Sequence, residues 1–214
     1  MNLACINTCD GFCQVLIRSN ESDVLHTLPM QTGHDRALAD MTRHALAEAK
    51  LTAKQLTHIA VAVGPGGFTG VRIGVSFARG LGLVTGAPVI GVSLLEVLAM
   101  QARTDGVDLG VGIKNVGRGQ VAWALVSAQG VQQKPIVCQP AEFAPMLAKC
   151  ADGRNVHCVG DQHPDIDNIT GLTGVCMSIF ADLATTLEPQ TNPATPWYVR
   201  PPDAKLPKGI DPWA

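Results

Sequence analysis

One order of predicted elements occurs twice along this chain of 214 residues. Three short apolar strands joined by turns are followed by a helix, a strand and a second helix, and the same order then returns in the second half. Hairpin-linked strands followed by alternating helices and strands predict a mixed sheet with helices on its faces. The residues themselves are not visibly repeated, so the duplication is inferred from the order of the elements alone.

The first series is predicted from apolar periodicity and from residues that favour turns and helix ends. Asp10-Gly11 forms a hairpin turn, Gly86 ends a helix, and Ser93 caps the next helix with Glu96 at the capping-box position. The predicted strands are 3–7, 13–17, 23–28, 58–63 and 88–92, and the predicted helices are 34–50, 69–85 and 94–102. Together they form a predicted N-terminal subdomain, residues 1–104.

The second series forms a predicted C-terminal subdomain, residues 105–214, that ends in an irregular, proline-rich tail from Pro189. Its predicted strands are 109–113, 120–126, 131–138 and 156–160, and its predicted helices are 141–151 and 177–187. Two such units side by side match the architecture of the actin, sugar-kinase and Hsp70 class. We therefore predict an α/β protein with a duplicated actin-like fold (ASKHA, ribonuclease H-like), in which each subdomain is a mixed sheet flanked by helices.

Composition and charge narrow the classes of function. Apolar residues make up 46% of the chain and charged residues 16%, which is enough for a core and argues against general disorder. The formal charge is -2 without a block of Lys or Arg, so we expect weak nucleic-acid binding by this chain alone. We expect no signal peptide, and no apolar stretch of about 20 residues occurs. The seven cysteines are interpreted as reduced. These features predict a cytoplasmic protein without a membrane segment.

The segment GPGGFTG (64–70) joins a predicted strand to a helix, as phosphate-binding loops do. No Lys follows the glycines, which excludes a P-loop, and Thr69 stands where the dinucleotide fingerprint requires a third glycine. Backbone amides at a helix start can still bind an anion, so Gly64, Gly66, Gly67 and Thr69 are kept as candidate anion or nucleotide contacts. The alternative is a tight turn in which Thr69 is the helix N-cap.

The helix after this loop is rich in small residues. It contains Gly70, Gly74, Gly80 and Gly82, and four glycines destabilise a helix by about 4 kcal/mol relative to alanine. With Ala78, three of these glycines recur at every fourth position, a spacing that lets another backbone approach closely. A compensating contact along this stripe is therefore expected.

The polar residues of the same helix lie on one narrow strip, formed by Arg72, Ser76 and Arg79. A helix that is apolar nearly all round is buried on more than one side. One side can pack on its own sheet, and part of the rest is expected to meet the 34–50 helix and a second protein. The alternative is a helix that is wholly internal to this chain.

The residues that carry chemistry in duplicated folds of this class are missing from the expected places. Such folds hold a metal–nucleotide complex with carboxylates after the first strand of each half, where this chain has Asn7 and Asn115. Neutral amides do not supply the negative charge that Mg²⁺ requires, and Asp10 is assigned to hairpin geometry. The histidines and cysteines show no metal-ligand spacing. No catalytic residue, metal or cofactor is therefore predicted.

Four collinear motifs resemble those of one family, the TsaB (YeaZ) proteins. GPGGFTGVRIG (64–74) is similar to the family signature, which usually has Ser where Gly67 stands. GHDRALADM (33–41) resembles its histidine-led first helix, GVSLLEVLA (91–99) its Gly-Val-Ser segment, and WYVRPPDAKLP (197–207) its Tyr-x-Arg tail. On these motifs the chain is identified as a member of the family.

The resemblance implies a duplicated actin-like fold that has lost catalysis. It implies a non-catalytic scaffold subunit in the synthesis of N6-threonylcarbamoyladenosine on tRNA, next to the anticodon. The implied partners are the homologous catalytic subunit TsaD and, in the larger complex, the ATPase TsaE, with tRNA bound only through the complex. Family members also self-associate, so a homodimer can compete with the heterodimer.

In the family, the two proteins meet through N-terminal helices, which correspond here to the 34–50 and 69–85 helices. The resemblance therefore implies the following partner-binding residues: His34, Leu38, Met41, Ala45, Gly70, Arg72, Gly74, Phe77, Ala78 and Leu81. The family usually has Asp where Asn7 stands and an acid near Asn115. The resemblance therefore implies that both replacements further weaken any remaining ability to bind a nucleotide.

Two other functions stay open. One is an enzyme, either a residual nucleotide-dependent transferase or an M22-type peptidase-like protein, as older family labels suggest. The other is a regulatory module that senses an anion at the 64–70 loop. The loop cluster Asp161, His163 and Asp165 is interpreted as surface rather than as a catalytic site.

Overall fold

The computed structural model describes residues 1–20, 22–30, 32–172 and 174–199. The first half contains strands β1 (Leu3–Asn7), β2 (Phe12–Arg18), β3 (Asp23–Pro29), β4 (His58–Gly64) and β5 (Val89–Ser93), with helices α1 (His34–Glu48), α2 (Phe68–Thr85) and α3 (Leu94–Ala102). The second half contains strands β6 (Leu109–Asn115), β7 (Val121–Ser127), β8 (Gly130–Cys138), β9 (Val156–Gly160) and β10 (Ile169–Gly171), with helices α4 (Pro140–Ala151) and α5 (Met177–Ala184). A short 3-10 turn, Ala53–Gln55, precedes β4.

The two sheets have the same topology. The strand orders are β3-β2-β1-β4-β5 and β8-β7-β6-β9-β10. In each half the first three strands are antiparallel neighbours, and the fourth runs parallel to the first. The predicted duplicated fold, with a mixed sheet and flanking helices in each half, is therefore confirmed.

Helix α3 lies between the two sheets. Its Leu94 and Leu98 side chains belong to the core of the first half, whereas Leu95 packs with Ala122 of β7. The second sheet approaches α3 so closely that a Cβ atom on Gly112 of β6 would overlap the Leu95 carbonyl oxygen. Glycine at this position is what allows the helix backbone to lie directly on the strand.

Helix α5 returns from the second half to the first sheet. Met177 and Phe180 are buried in the core of the first half, and Arg18 of β2 lies 2.5 Å from Asp182 of α5. The halves are thus joined by α5 as well as by α3. The subdomain boundary near residue 104 stays a prediction.

Several local predictions are corrected by the structure. The N-cap of α2 is Gly67 rather than Thr69, because the helix begins one residue earlier, at Phe68. The capping box at Ser93 does not form, since the Ser93 hydroxyl is buried without a hydrogen-bond partner among the described residues. Burial raises the pKa of the Glu96 carboxyl, an effect that Lys134 opposes.

Other ends differ by a few residues, and one strand was missed. Helices α1 and α5 end at Glu48 and Ala184, two and three residues before the predicted ends. Strand β10 is only three residues long and was not predicted, because its pairing depends on β9 rather than on a local pattern. None of the helices in the described part of the chain combines the length and apolar character that a membrane span requires. Residues 200–214, which include part of the tail motif, lie outside the described residues.

Candidate partner-binding surface and central cleft

The stripe of small residues on α2 faces this chain's own first sheet. A Cβ atom on Gly70 would overlap the carbonyl oxygen of Thr8, and one on Gly74 would overlap the Thr8 hydroxyl. The Thr8 hydroxyl donates a hydrogen bond of 2.7 Å to the Gly70 carbonyl, and a Cβ atom on Gly82 would meet the side chain of Val89. The spacing therefore serves close packing within the chain, and the internal alternative holds for this face of the helix.

The opposite face of α2 is open and partly apolar. Leu83 and Val84 are 88% and 77% exposed, and Phe68 at the start of the helix is 45% exposed. Apart from its chain neighbours and the surrounding backbone of α2, no described atom lies within 4 Å of a Cβ atom placed on Gly80. Large apolar side chains this exposed on a helix indicate a surface that another protein can cover. We call the exposed side chains of Leu83 and Val84, with the open position at Gly80, the outer face of α2.

A shallow apolar groove runs beside this helix, between α1, α2 and the 3-10 turn. It is lined by Ala39, Thr42, Arg43, Leu46, Ala47, Leu51, Thr52, Ala53, Phe77 and Leu81. Phe77 and Leu81 of the predicted partner-binding set therefore line a surface that remains accessible. The groove and the outer face of α2 together form the candidate partner-binding surface.

The ten predicted partner-binding residues divide by burial. Six are buried within the chain: His34, Leu38, Ala45, Gly70, Gly74 and Ala78. Met41, Phe77 and Leu81 are half-buried, and Arg72 is exposed. The partner-binding role of all ten residues stays a prediction. Only the four that are not buried, Met41, Phe77, Leu81 and Arg72, are accessible for direct contact with a partner. The sequence pattern did not identify Leu83 and Val84 as surface residues, because apolar residues at the end of a helix are equally compatible with a buried core position.

The predicted anion loop packs on the end of the β1–β2 connection. The Gly67 amide donates a hydrogen bond of 3.3 Å to the Cys9 carbonyl, and a Cβ atom on Gly66 would lie 2.6 Å from the Cys9 Cβ atom. One of the loop amides is therefore committed to the fold, while Gly66, Gly67 and Thr69 are exposed and Gly64 is buried. Binding of an anion at these residues stays a prediction.

Residues 197–199 return to the first half and pack beside this loop. The Trp197 amide donates a hydrogen bond of 2.8 Å to the Val63 carbonyl, and Arg72 Nε donates one of 2.7 Å to the Tyr198 hydroxyl. The Arg72 guanidinium carbon lies 3.6 Å from the centroid of the Phe68 ring, a distance typical of a cation–π contact. Arg72 therefore ties these residues to the start of α2.

A cleft of about 270 Å³ lies between the two halves. It is lined by Pro65, Gly66, Phe68, Val71, Lys114, Asn115, Val116, Trp197, Tyr198 and Val199. One wall thus comes from the glycine loop and α2, another from the end of β6, and the third from residues 197–199. Asn115, one of the two positions at which an acid is expected from the sequence in folds of this class, is part of this lining.

The charged group in this cleft is a lysine between two carboxylates. Lys114 Nζ lies 2.8 Å from Asp10 Oδ1 of the first half and 3.5 Å from Asp161 Oδ1 of the second half. Burial lowers the pKa of Lys114, but both carboxylates outweigh it and hold the pKa above its usual value. Burial raises the pKa of Asp10, which Lys114 opposes. The sequence pattern assigns Asp10 to hairpin geometry alone. In the structure its side chain also pairs with Lys114.

The two asparagines in place of acids are engaged in local hydrogen bonds. The Asn7 amide group donates to Gln14 at 2.9 Å and its oxygen accepts from the Cys9 amide at 3.0 Å. The Asn115 side chain donates to the Gln162 carbonyl at 3.1 Å. Both side chains thus have structural roles at the ends of β1 and β6.

The remaining loop residues do not join the cleft. His163 Nδ1 lies 3.9 Å from Asp165 Oδ2 and accepts a hydrogen bond of 3.2 Å from the Asp165 amide, while Asp161 faces Lys114. Within the described ranges, no group of three or more His, Cys, Asp or Glu residues is arranged to hold a metal ion. Asp161, His163 and Asp165 therefore do not act as one cluster, and of the three it is Asp161 that pairs with Lys114 of the cleft.

Cys176 is expected to be the fastest-reacting thiol of the native protein. It is exposed, and although partial burial raises its pKa, hydrogen bonds from Ser178 and from the Ser178 and Ile179 amides leave that pKa below its usual value. Burial raises the pKa of Cys5 and Cys9, which are closed to reagents. Timed maleimide labelling read by mass spectrometry measures the order, and Cys176→Ser should remove the fast phase. Labelling of Cys5 or Cys9 before Cys176 would contradict this expectation.

The fold defines a class of protein: a duplicated actin-like molecule, here with a lysine in the cleft between its two halves. The family model described as "TsaD: tRNA N6-adenosine threonylcarbamoyltransferase" matches residues 29–188. The chain belongs to this family, and within it to the TsaB (YeaZ) proteins.

Two curated relatives carry the name tRNA threonylcarbamoyladenosine biosynthesis protein TsaB. The protein of Buchnera aphidicola from Schizaphis graminum is 33% identical over 99 residues, covering 45% of this chain and 46% of the relative. The Escherichia coli protein is 30% identical over 125 residues, covering 58% and 54%. The chain thus matches about half the length of these relatives.

The fold has a counterpart among solved structures. A Pseudomonas aeruginosa protein, described as uncharacterized with similarity to peptidase YEAZ, superposes with a TM-score of 0.77 at 24% identity. The superposition covers 93% of this chain and 99% of that protein. This similarity supports the fold across both halves.

Proposed function

We propose that this chain is a non-catalytic subunit of the complex that makes N6-threonylcarbamoyladenosine on tRNA. It binds and supports a TsaD-type catalytic subunit, and a TsaE-type ATPase joins the larger complex. The biosynthetic process is the one for which the TsaB relatives are named. The proposed compartment is the cytoplasm.

The observation that carries the non-catalytic role is the position of Lys114. A metal–nucleotide complex needs negative charge at the cleft, whereas Lys114 supplies a positive charge there and already contacts both carboxylates. Asn7 and Asn115 stand where the class has acids and are committed to other hydrogen bonds. These features support a subunit that assists chemistry carried out by another protein.

The partner-binding role is supported by the exposed part of α2. Leu83 and Val84 are exposed on α2, and Phe77 and Leu81 of the same helix line the groove beside α1. Covering such a surface removes apolar area from water, which favours association by about 25 cal/mol per Å². A homodimer through the same surface competes with the heterodimer, and tRNA is held through the complex because the chain is slightly acidic.

Calorimetry separates this function from an enzyme. The purified chain is expected to bind the TsaD-type subunit of the same cells at one-to-one stoichiometry, and to give no saturable heat with Mg-ATP or Zn²⁺. Tight stoichiometric binding of either ligand by the chain alone, without binding of the TsaD-type subunit, would favour the nucleotide-dependent transferase or peptidase-like alternative.

A further inference from the structure

The ion cluster of the central cleft joins three distant parts of the chain. Asp10 comes from the turn after β1, Lys114 from the end of β6, and Asp161 from the residue after β9. The Asp10 side chain is 5% exposed and that of Lys114 is 17% exposed. An ammonium group held at 2.8 Å by a carboxylate that is almost fully buried is a fixed part of the fold rather than a surface ion pair.

The second carboxylate is also fixed. Asp161 Oδ2 accepts a hydrogen bond of 3.0 Å from the Asn115 amide, and the Asp161 amide donates one of 3.0 Å to the Ile113 carbonyl. Its Oδ1 atom faces Lys114 Nζ. Two carboxylates of opposite halves are thus held around one point, and that point is taken by a nitrogen carrying positive charge.

The residues of this cleft do not fit the metal ion that the fold class implies. A divalent cation would have to occupy the place between Asp10 and Asp161, where its charge would meet that of Lys114. The oxygen of Asn7 is committed to the Cys9 amide. Lys114 is the counter-ion of Asp10, whose Oδ2 atom has no hydrogen-bond partner in the described part of the chain.

We propose that the Lys114 ammonium group is a resident cation that replaces a divalent metal ion in the central cleft and ties the two halves together. Removing the ammonium group leaves two carboxylates facing each other, one of them buried, and this lowers stability. The same change creates a site for a hard divalent cation, because Mg²⁺ and Mn²⁺ bind through one or two carboxylates and complete their shells with water. The proposal concerns the fold itself and stands apart from the binding of a TsaD-type partner.

The test is Mn²⁺ titration of the full chain at neutral pH, followed by electron paramagnetic resonance of the free ion and by thermal unfolding. The wild type is expected to bind no Mn²⁺ at the cleft and to keep its melting temperature. Lys114→Ala should unfold at a lower temperature and bind one equivalent. At about 100 times its Kd, Mn²⁺ should raise the melting temperature of this variant by roughly 5–10 °C.

Three further variants make the result specific. Lys114→Met keeps the length of the side chain without its charge, and it gives the same readout if Lys114→Ala does not fold. Asp10→Asn combined with Lys114→Met should lose the Mn²⁺ site, whereas Lys134→Ala, which removes a lysine outside the cluster, should behave as the wild type. The proposal is overturned if folded Lys114→Met binds no Mn²⁺, or if the wild type binds Mn²⁺ in a manner that Asp10→Asn abolishes.

Discussion

Gly70→Ala is expected to destabilise the protein by about 3 kcal/mol, whereas Gly80→Ala, in the same helix, should stabilise it by about 0.5–1 kcal/mol. A Cβ atom at position 70 overlaps the backbone of Thr8, which cannot move without disturbing the end of β1. Position 80 is open, since no described atom beyond its chain neighbours and the surrounding backbone of α2 lies within 4 Å of the added carbon. The change in stability at this position then reflects only the replacement of a flexible glycine within the helix. Urea unfolding followed by circular dichroism measures both values.

The pair is its own control, because both variants add one methyl group to the same helix. Equal destabilisation by Gly70→Ala and Gly80→Ala would mean that something covers Gly80 or that α2 does not lie on the end of β1. Destabilisation by Gly70→Ala alone supports an internal role for the small-residue stripe. For the same reason, bulky substitutions at Gly74 test folding rather than partner binding, since they meet the Thr8 side chain.

The double substitution Leu83→Glu, Val84→Glu is expected to weaken binding to a TsaD-type subunit by at least about 30-fold, equivalent to about 2 kcal/mol. Both side chains are the most exposed large apolar groups of the described chain, so unfolding free energy should change by no more than about 0.5 kcal/mol. Calorimetric titration of the folded variant against the partner gives the affinity.

Val131→Glu is the matched control for this variant. Val131 is also an exposed apolar residue, at 38%, but it lies on β8 of the second sheet, away from α2. Its replacement should leave the affinity unchanged. Equal weakening by both changes would point to a general effect of charge, and unchanged binding by the α2 variant would remove the outer face of α2 from the interface.

The fold could be predicted well because its signals are local. Apolar runs such as LACIN and HIAVAV became β1 and β4, and the Asp10-Gly11 turn lies between β1 and β2. Gly86 ends α2 in the left-handed conformation, as expected of a helix C-cap. The repeated order of elements then fixed the duplicated topology, because hairpins and crossovers leave few ways to arrange such strands.

The candidate sites were less predictable because they depend on which residues meet in space. Lys114, Asp10 and Asp161 are far apart in the sequence, and the patterns around Asp10 and Asp161 predicted a hairpin turn and a surface loop rather than an ion cluster. The direction of the glycine stripe was equally hidden, since the same spacing suits a sheet of this chain or a partner helix. Only the burial of Gly70 and Gly74 beside Thr8, and the exposure of Leu83 and Val84, distinguish the two faces of α2.

The most direct test of the proposed role is the rate of N6-threonylcarbamoyladenosine formation on tRNA by purified TsaD-type and TsaE-type subunits, with and without this chain. We expect formation to require the wild-type chain, to persist with Val131→Glu, and to be lost with Leu83→Glu, Val84→Glu. Formation at the same rate when the chain is left out would contradict the proposed function.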